Sequence, residues 1–286
     1  MENSYSSYSD EEIMKALITH DFSEINRQFV DNVVTSIKAG AFYAAKDLDT
    51  VSLPMVTKVG HNAFTDTNLA TLELTWSGLT DIGHEAFFRG WHRIPENLVL
   101  SNATTVGNGA FAGTSTAKNT RLKTISFPKW EGARPTAQGF SANNTGLFDY
   151  CSALTSVNLP LLTSLSSYMF RGCTALETIN LPKVSTLSNG VFTGCTALKK
   201  IDFGGAITSI TNTFLPSGTT FEALILRGVT TVPTLGTSVF RSTPVSSGDA
   251  YIYVPSSLEA LFKVANNWST YAAQIRAIEN YPEICG

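Results

Sequence analysis

The segment Leu147–Pro160, LFDYCSALTSVNLP, recurs as Met169–Pro182, MFRGCTALETINLP, and again as Val191–Gly204, VFTGCTALKKIDFG. Each copy begins 22 residues after the previous one, and each carries one cysteine at the same place. Repetition at a fixed interval of this length indicates an architecture in which each unit stacks on its neighbours.

The repeat extends well beyond these three copies, because a phenylalanine preceded by an apolar residue marks nearly every unit. Most intervals between these phenylalanines are 22 to 24 residues, and the longest, 37 residues, separates Phe111 from Phe148. The phenylalanines are Phe42, Phe64, Phe87, Phe111, Phe148, Phe170, Phe192, Phe214 and Phe240.

Between the phenylalanines runs the pattern L-x-x-[IVL]-x-[LF]-P, as in Leu176, Ile179, Leu181 and Pro182. Alternation of its apolar positions predicts a short strand with one buried face, and proline ends that strand because it lacks an amide donor. A second apolar row precedes each phenylalanine, for example Val56 and Val59. One unit has too few apolar side chains to close a core, so the sequence predicts a solenoid of stacked units.

These residues resemble the leucine-rich repeat family, and within it the BspA-type bacterial repeats with the pattern GxxxFxxCxxLxxIxLPxxLxxI. The resemblance covers roughly Phe22 to Pro255. It implies an α/β solenoid, a right-handed leucine-rich repeat horseshoe of about nine repeats of 22–26 residues with short parallel strands on its concave face.

We expect one elongated domain, because a solenoid must cover both of its apolar ends. Residues 1–33 are predicted to form an N-terminal cap helix and a half-repeat strand at Phe22 and Ile25. The repeats then span residues 34–254. Residues 255–286 are predicted to form a C-terminal helical cap of two short helices broken near Asn266 and Asn267. The resemblance implies that Trp268 is the plug of this cap.

The three cysteines at the repeat interval could bind metal, form disulfides or pack as small apolar residues. Equivalent positions in adjacent units lie about 4.8 Å apart, so Cys151, Cys173 and Cys195 are expected in a straight row. Zinc needs each thiolate within about 2.3 Å, and a linear row does not converge on one ion. Disulfides need side chains that turn toward each other, and three cysteines leave one over. Packing is therefore the preferred interpretation, and Cys285 is expected to be a lone exposed thiol.

His61 and His84 occupy the same repeat position and are expected to be neighbours about 5 Å apart. With Glu85 and His92 nearby in sequence they raise the hypothesis of a metal site. The alternative, which we prefer, is a solvent-facing polar position filled by serine or asparagine in other repeats. No metal or cofactor is therefore predicted.

Composition and motifs exclude several classes of function. A net charge of −3 argues against nucleic acid as the main partner, and no apolar run approaches the length of a membrane span. The sequence has no G-x-S-x-G elbow and no phosphate loop, so enzymatic activity is not expected.

Candidate partner-binding residues lie in the irregular units between Leu69 and Leu147 and on the adjoining strands. Aromatic side chains on loops of a rigid scaffold are typical binding anchors, although these rings could instead fold back over the solenoid edge. The tyrosine-bearing end of the predicted sheet is expected to lie under the C-terminal cap. The candidates are Trp76, Phe88, Trp91, Trp130, Glu73, Asn97, Thr124 and Ser126.

The resemblance implies a non-catalytic binding or adhesion module that presents its repeats to a protein or glycan partner. It suggests a bacterial cell surface or a prophage particle, although the start MENSYSSYSDEE shows no classical secretion signal. The alternative is a structural spacer or assembly subunit without a ligand of its own.

Overall fold

The chain winds into a parallel solenoid of about ten turns. This computed structural model describes residues 28–46, 48–90, 94–132, 145–211, 214–215 and 220–286. The turns contribute strands to two rows. The first row comprises β1 (Gln28–Val30), β3 (Thr50–Leu53), β5 (Thr71–Leu74), β7 (Asn97–Val99), β9 (Thr124–Ser126), β10 (Ser156–Asn158), β12 (Thr178–Leu181), β14 (Lys200–Phe203), β16 (Ala223–Leu226), β18 (Tyr251–Val254) and β19 (Ile275–Ala277). The second row comprises β2 (Ser36–Ile37), β4 (Lys58–Val59), β6 (Asp81–Ile82), β8 (Thr105–Val106), β11 (Ser164–Leu165), β13 (Thr186–Leu187), β15 (Ser209–Ile210) and β17 (Thr234–Leu235).

All paired strands are parallel, and each pairs with the strand one turn away. In the first row the hydrogen-bonded groups are β1-β3-β5, β7-β9-β10 and β12-β14-β16-β18-β19. In the second row they are β2-β4-β6-β8, β11-β13 and β15-β17. The predicted solenoid is therefore confirmed, and the second apolar row, predicted only as a pattern, forms short strands of its own.

The predicted strand motif accounts for which side chains are buried. In β12 the side chains of Ile179 and Leu181 are buried, whereas those of Thr178 and Asn180 are exposed. Parallel pairing places Ile179 beside Ile201 of the next turn, so apolar side chains align along the whole stack. We call the surface formed by the outward-facing side chains of the first row the sheet face.

Phenylalanine rings stack into a column through the interior. The ring centroids of Phe170 lie 5.6 Å from those of Phe148 and 5.7 Å from those of Phe192, with nearly parallel planes. Phe111 and Phe148 still stack at 6.1 Å although 37 residues separate them. The stacking of the column therefore continues across the longest interval of the repeat.

The three repeat cysteines are fully buried and free, which confirms the packing interpretation. Each thiol donates to a phenylalanine carbonyl oxygen of the preceding turn, with Cys173 Sγ 3.3 Å from Phe148 O and Cys195 Sγ 3.0 Å from Phe170 O. Burial raises the pKa of all three thiols, and that of Cys195 rises to about 12. In each of these three turns the thiol, a weak hydrogen-bond donor, thus satisfies a buried backbone carbonyl oxygen.

Turns rather than helices connect most strands in the described repeats. Before Pro244 the helical geometry in these ranges is limited to the 3₁₀ turn Trp76–Gly78. The short helix α1 (Pro244–Ser247) follows, and none of the described helices is long and apolar enough to cross a bilayer. The predicted cap helix and the half-repeat strand at Phe22 and Ile25 lie outside the described residues.

The C-terminal cap differs from the two predicted helices. The first helix, α2 (Ser256–Val264), ends before Asn267, which has a φ of 64°. The chain then forms the 3₁₀ turn Trp268–Gln274 and the strand β19, which pairs with β18. The second predicted helix is wrong because the Ile275 and Ala277 side chains alternate with an outward Arg276, which is a strand pattern. Trp268 is fully buried and donates through Nε1 to Pro233 O at 2.7 Å, as expected of a plug.

A C-terminal hook then folds back over the sheet face. The hook comprises the 3₁₀ turn Ile278–Asn280, Tyr281 and the helix α3 (Pro282–Cys285). Its side chains cover Ala223, Ile225 and Tyr253, which form an apolar cluster separate from the main core. Cys285 belongs to this cluster and is only 2% exposed, so the prediction of an exposed thiol is wrong.

The phenylalanine column predicts a large difference between inward and outward substitutions. Phe170→Ala should lower the free energy of unfolding by about 3–5 kcal/mol, because it opens a cavity between two stacked rings. Asn180→Ala, on the exposed side of β12, should change it by less than about 0.5 kcal/mol. Chemical denaturation of both variants measures these values, and equal costs would show that inside and outside are wrongly assigned.

Burial of all four cysteines predicts a low reactivity of the native protein with thiol reagents. In denaturant four thiols should react at once, whereas in buffer at pH 8 none should react at the rate of a free thiol. Cys285 should react first, since only the hook must open to expose it. Rapid labelling of Cys151, Cys173 or Cys195 in the native protein would contradict this packing.

Candidate binding site on the sheet face

The sheet-face candidates lie where the sequence places them. Glu73 is exposed on β5 and accepts a hydrogen bond from Ser52 Oγ at 2.6 Å. Thr124 Oγ1 donates to Asn97 Oδ1 at 2.9 Å, and Ser126 Oγ accepts from Asn158 at 2.8 Å. The parallel register thus joins these polar side chains to their neighbours in rows, which gives a flat polar strip rather than a pocket.

The described aromatic candidates are not a set of exposed anchors. Trp130 is fully buried, so for this residue the alternative holds that the ring folds back into the solenoid, and it is not a binding anchor. Its ring packs edge-on against Phe127 with centroids 6.1 Å apart, and Phe127 in turn lies 5.8 Å from Phe148. Both rings fill the interior where the longest interval departs from the regular repeat, and this filling is the physical reason for the burial of Trp130.

The other aromatic candidates are partly covered or undescribed. Trp76 packs against the main core, with its ring 5.3 Å from that of Phe87. Phe88 is half-buried, and the guanidinium of Arg89 lies 5.1 Å above its ring. Trp91 lies outside the described residues. The three aromatic candidates that the structure describes therefore do not form one exposed surface.

His61 and His84 occupy equivalent positions in adjacent turns, and their rings stack on each other. The rings of His61 and His84 lie 5.1 Å apart, as the repeat predicted, and the backbone amide of His84 donates to His61 Nδ1 at 2.9 Å. Burial, followed by the neighbouring His61, lowers the pKa of His84. No group of three or more potential metal ligands occurs within the described ranges, and His92 lies outside them.

A pocket of about 650 Å³ lies at the C-terminal end of the sheet face, beside the hook. The first-row strands β12, β14, β16, β18 and β19 supply its floor, and the hook supplies one wall. The lining residues are Thr178, Lys199, Lys200, Glu222, Ala223, Asp249, Tyr251, Tyr253, Arg276, Tyr281, Glu283 and Ile284.

The hook is held to the floor by hydrogen bonds as well as by apolar contacts. Lys200 Nζ donates to Ile284 O at 3.2 Å. Arg227, which pairs with Asp202 at 2.7 Å, also donates to Cys285 O. These contacts tie the hook to β14 and to the segment after β16, so the pocket wall has a defined position.

Tyrosines and charged groups share the pocket. Tyr251 is 36% exposed, and the guanidinium of Arg276 lies 4.7 Å from its ring centroid. Tyr253 packs edge-on against Tyr281, with ring centroids 5.4 Å apart. Burial raises the pKa of Tyr253 to about 12, so its hydroxyl keeps its proton at neutral pH.

The rim of the pocket carries a row of charges at the positions that precede the strands. Lys199 Nζ lies 2.9 Å from Glu177 Oε2, and this hydrogen bond raises the pKa of Lys199. Glu222 lies on the other side of Lys199, one turn further along. The pocket can therefore offer hydrogen-bond donors, acceptors and aromatic surface to one ligand, which is the usual composition of a binding site.

Sequence reasoning missed most of this pocket. The expectation that the tyrosine-bearing end of the sheet lies under the C-terminal cap is confirmed for Tyr253, which is 2% exposed. The alternation in Ile275–Ala277 is the signal that would have found Arg276. Nothing in the repeat pattern predicts the hook residues, because the hook is not a repeat.

Comparison with known proteins agrees with this architecture. The model for the BspA type leucine rich repeat region matches six copies within residues 19–130 and 143–268. A search of curated proteins finds no match.

Solved structures with a similar chain trace include three bacterial proteins. A leucine rich cell surface protein from Faecalibacterium prausnitzii is 21% identical (TM-score 0.44), with 86% of this chain and 63% of that chain covered. The pneumococcal vaccine antigen PcpA is 15% identical (TM-score 0.47; 87% and 65% covered). A leucine-rich repeat protein from Bacteroides ovatus is 15% identical (TM-score 0.36; 87% and 83% covered).

The chain spans less than two thirds of the length of the first two of these proteins. The family model, in contrast, matches well over half of this chain, and its two matched ranges include every first-row strand from β1 to β18. The chain belongs to the BspA-type leucine-rich repeat family.

Proposed function

We propose that the chain is a non-catalytic recognition module that binds a macromolecular partner, protein or glycan, on its sheet face. The observation that carries the proposal is the pocket beside the hook. It concentrates exposed aromatic, cationic and anionic groups on a face whose other described rows are mostly small polar side chains. The family, whose members are typically surface and binding proteins, supports the same role.

The solenoid supports binding by fixing the positions of the contacting side chains before a partner arrives. Side chains on β12, β14 and β16 are held in register by continuous parallel pairing. Binding to such a surface loses little conformational entropy, since the backbone is already ordered. A protruding group of the partner would enter the pocket, and its flanking parts would lie along the polar strip toward Asn180 and Asn158.

The proposal includes display of the module at a bacterial surface or on a phage particle, as the family resemblance implies. In that setting the regular repeats hold the pocket away from the point of attachment. The competing function is a structural spacer or assembly subunit that has no ligand. These two functions differ in whether the isolated protein binds anything through its sheet face.

A pair of matched variants tests the proposal. Thr178 lines the pocket on the exposed side of β12, whereas Thr193 is exposed on a turn near Phe192. Thr178→Trp should obstruct the pocket and lower binding to matrix proteins, mucins or intact cells by about tenfold or more, measured by biolayer interferometry. Thr193→Trp adds the same bulk elsewhere and should bind as the wild type does.

Equal binding by the two variants would contradict recognition at the sheet face. If the wild-type protein binds no member of the panel, the spacer function replaces the proposal. Both variants should melt near the wild-type temperature, because each replaced side chain points into solvent.

A further inference from the structure

We infer that the pocket beside the hook is a subsite for a neutral sugar unit of a glycan, with Tyr251 as the stacking surface and the carboxylates of Glu222 and Asp249 as acceptors for sugar hydroxyls. This inference deepens the proposed function and rests on it. It identifies the chemical class of the group that enters the pocket.

The aromatic part of the pocket suits a ligand that has one apolar face. Tyr251 keeps 36% of its surface exposed, although Arg276 lies 4.7 Å from its ring centroid. The guanidinium fixes the orientation of the ring, and Tyr253 flanks it with centroids 6.5 Å apart. A tyrosine held in this way offers a rigid amphipathic surface, on which the C–H face of a pyranose can pack while its hydroxyls point to the rim.

The cations of the pocket are already engaged with protein groups. Lys199 pairs with Glu177, and Lys200 donates to a carbonyl oxygen of the hook. Arg276 Nη1 donates to Ala273 O at 2.6 Å and to Ile275 O at 3.0 Å. Each cation is therefore held in place by a protein group before any ligand binds.

The carboxylates that line the pocket, unlike the cations, make few hydrogen bonds to the protein. Neither Glu222 nor Glu283 accepts a hydrogen bond from any residue in the described ranges, and Asp249 accepts only from the hydroxyl of Ser247, at 2.6 Å, within the same ranges. The pocket thus has spare acceptors, which need a ligand rich in O–H or N–H donors. Sugar hydroxyls supply such donors without bringing a charge that must be desolvated.

The balance of charges in the pocket favours a neutral ligand over a charged one. The lining contains three cations, Lys199, Lys200 and Arg276, against three carboxylates, so the pocket has no net charge. An anionic sugar would meet three carboxylates at close range. A basic peptide side chain would meet three cations at close range. A neutral polyol avoids both repulsions, and a volume of about 650 Å³ leaves room for a short oligosaccharide.

A glycan array with purified variants tests the inference. The array carries neutral hexose and N-acetylhexosamine oligosaccharides beside sialylated, sulfated and uronic ones, and a parallel array carries lysine- and arginine-rich peptides. Wild-type protein should bind neutral oligosaccharides in preference to the others. Tyr251→Ala should weaken that binding by about tenfold or more, and Glu222→Gln should weaken it several-fold, whereas Tyr251→Phe should retain it.

Two matched controls test the location. Tyr43→Ala removes a tyrosine that is 44% exposed in an early turn. Glu96→Gln changes a carboxylate at the same strand-preceding position as Glu222, in a distant turn. Both should bind neutral oligosaccharides as the wild type does.

The inference is overturned if the protein binds only anionic glycans or basic peptides, if it binds no neutral oligosaccharide, or if Tyr251→Ala binds unchanged. These results differ from a failure of the proposed function. A different result is that the protein binds a matrix protein in a way that Thr178→Trp abolishes, yet binds no neutral oligosaccharide. That result would support recognition at the sheet face and contradict only the assignment of the ligand as a neutral sugar.

Discussion

The parallel backbone ladder between successive turns is the constraint on which the rest of the structure depends. Each turn is too small to bury its own apolar residues, so these become buried only when the next turn pairs in register. Pairing in register also forces equivalent side chains to lie above one another. The near-parallel rings of Phe148, Phe170 and Phe192, and the thiols of Cys173 and Cys195 on carbonyl oxygens one turn away, follow from this single requirement.

The same ladder determines where a ligand can be recognised. Side chains on the sheet face form rows of equivalent residues, and in most of the described turns these rows are small, polar and mutually hydrogen-bonded. A pocket needs a wall that rises above this flat face, and the repeats alone do not supply one. The hook provides such a wall at the C-terminal end, where Tyr281 and Ile284 line the pocket together with Tyr251.

The sequence predicted those features that depend on a residue's position within its own repeat. The strands, the burial of the repeated phenylalanines and the burial of Cys151 follow from local periodicity, whereas the plug Trp268 is implied by the family resemblance. It failed where burial depends on a segment that is distant in sequence. Cys285 is covered because it returns to Ala223 and Ile225, and no periodic signal links these residues. Trp130 fills a gap in an irregular turn, and its neighbourhood has no repeat to compare it with.

The central claim is that a rigid ladder presents one recognition site beside the hook. Hydrogen–deuterium exchange, measured with and without a pool of neutral mucin-type oligosaccharides, tests this claim most directly. In the free protein, exchange should be slow along the first-row strands, and the oligosaccharides should add protection only in peptides covering residues 199–200, 222–223, 249–253 and 276–284. Added protection in the turns around Phe42 to Phe111, or none in the pocket peptides, would contradict the claim.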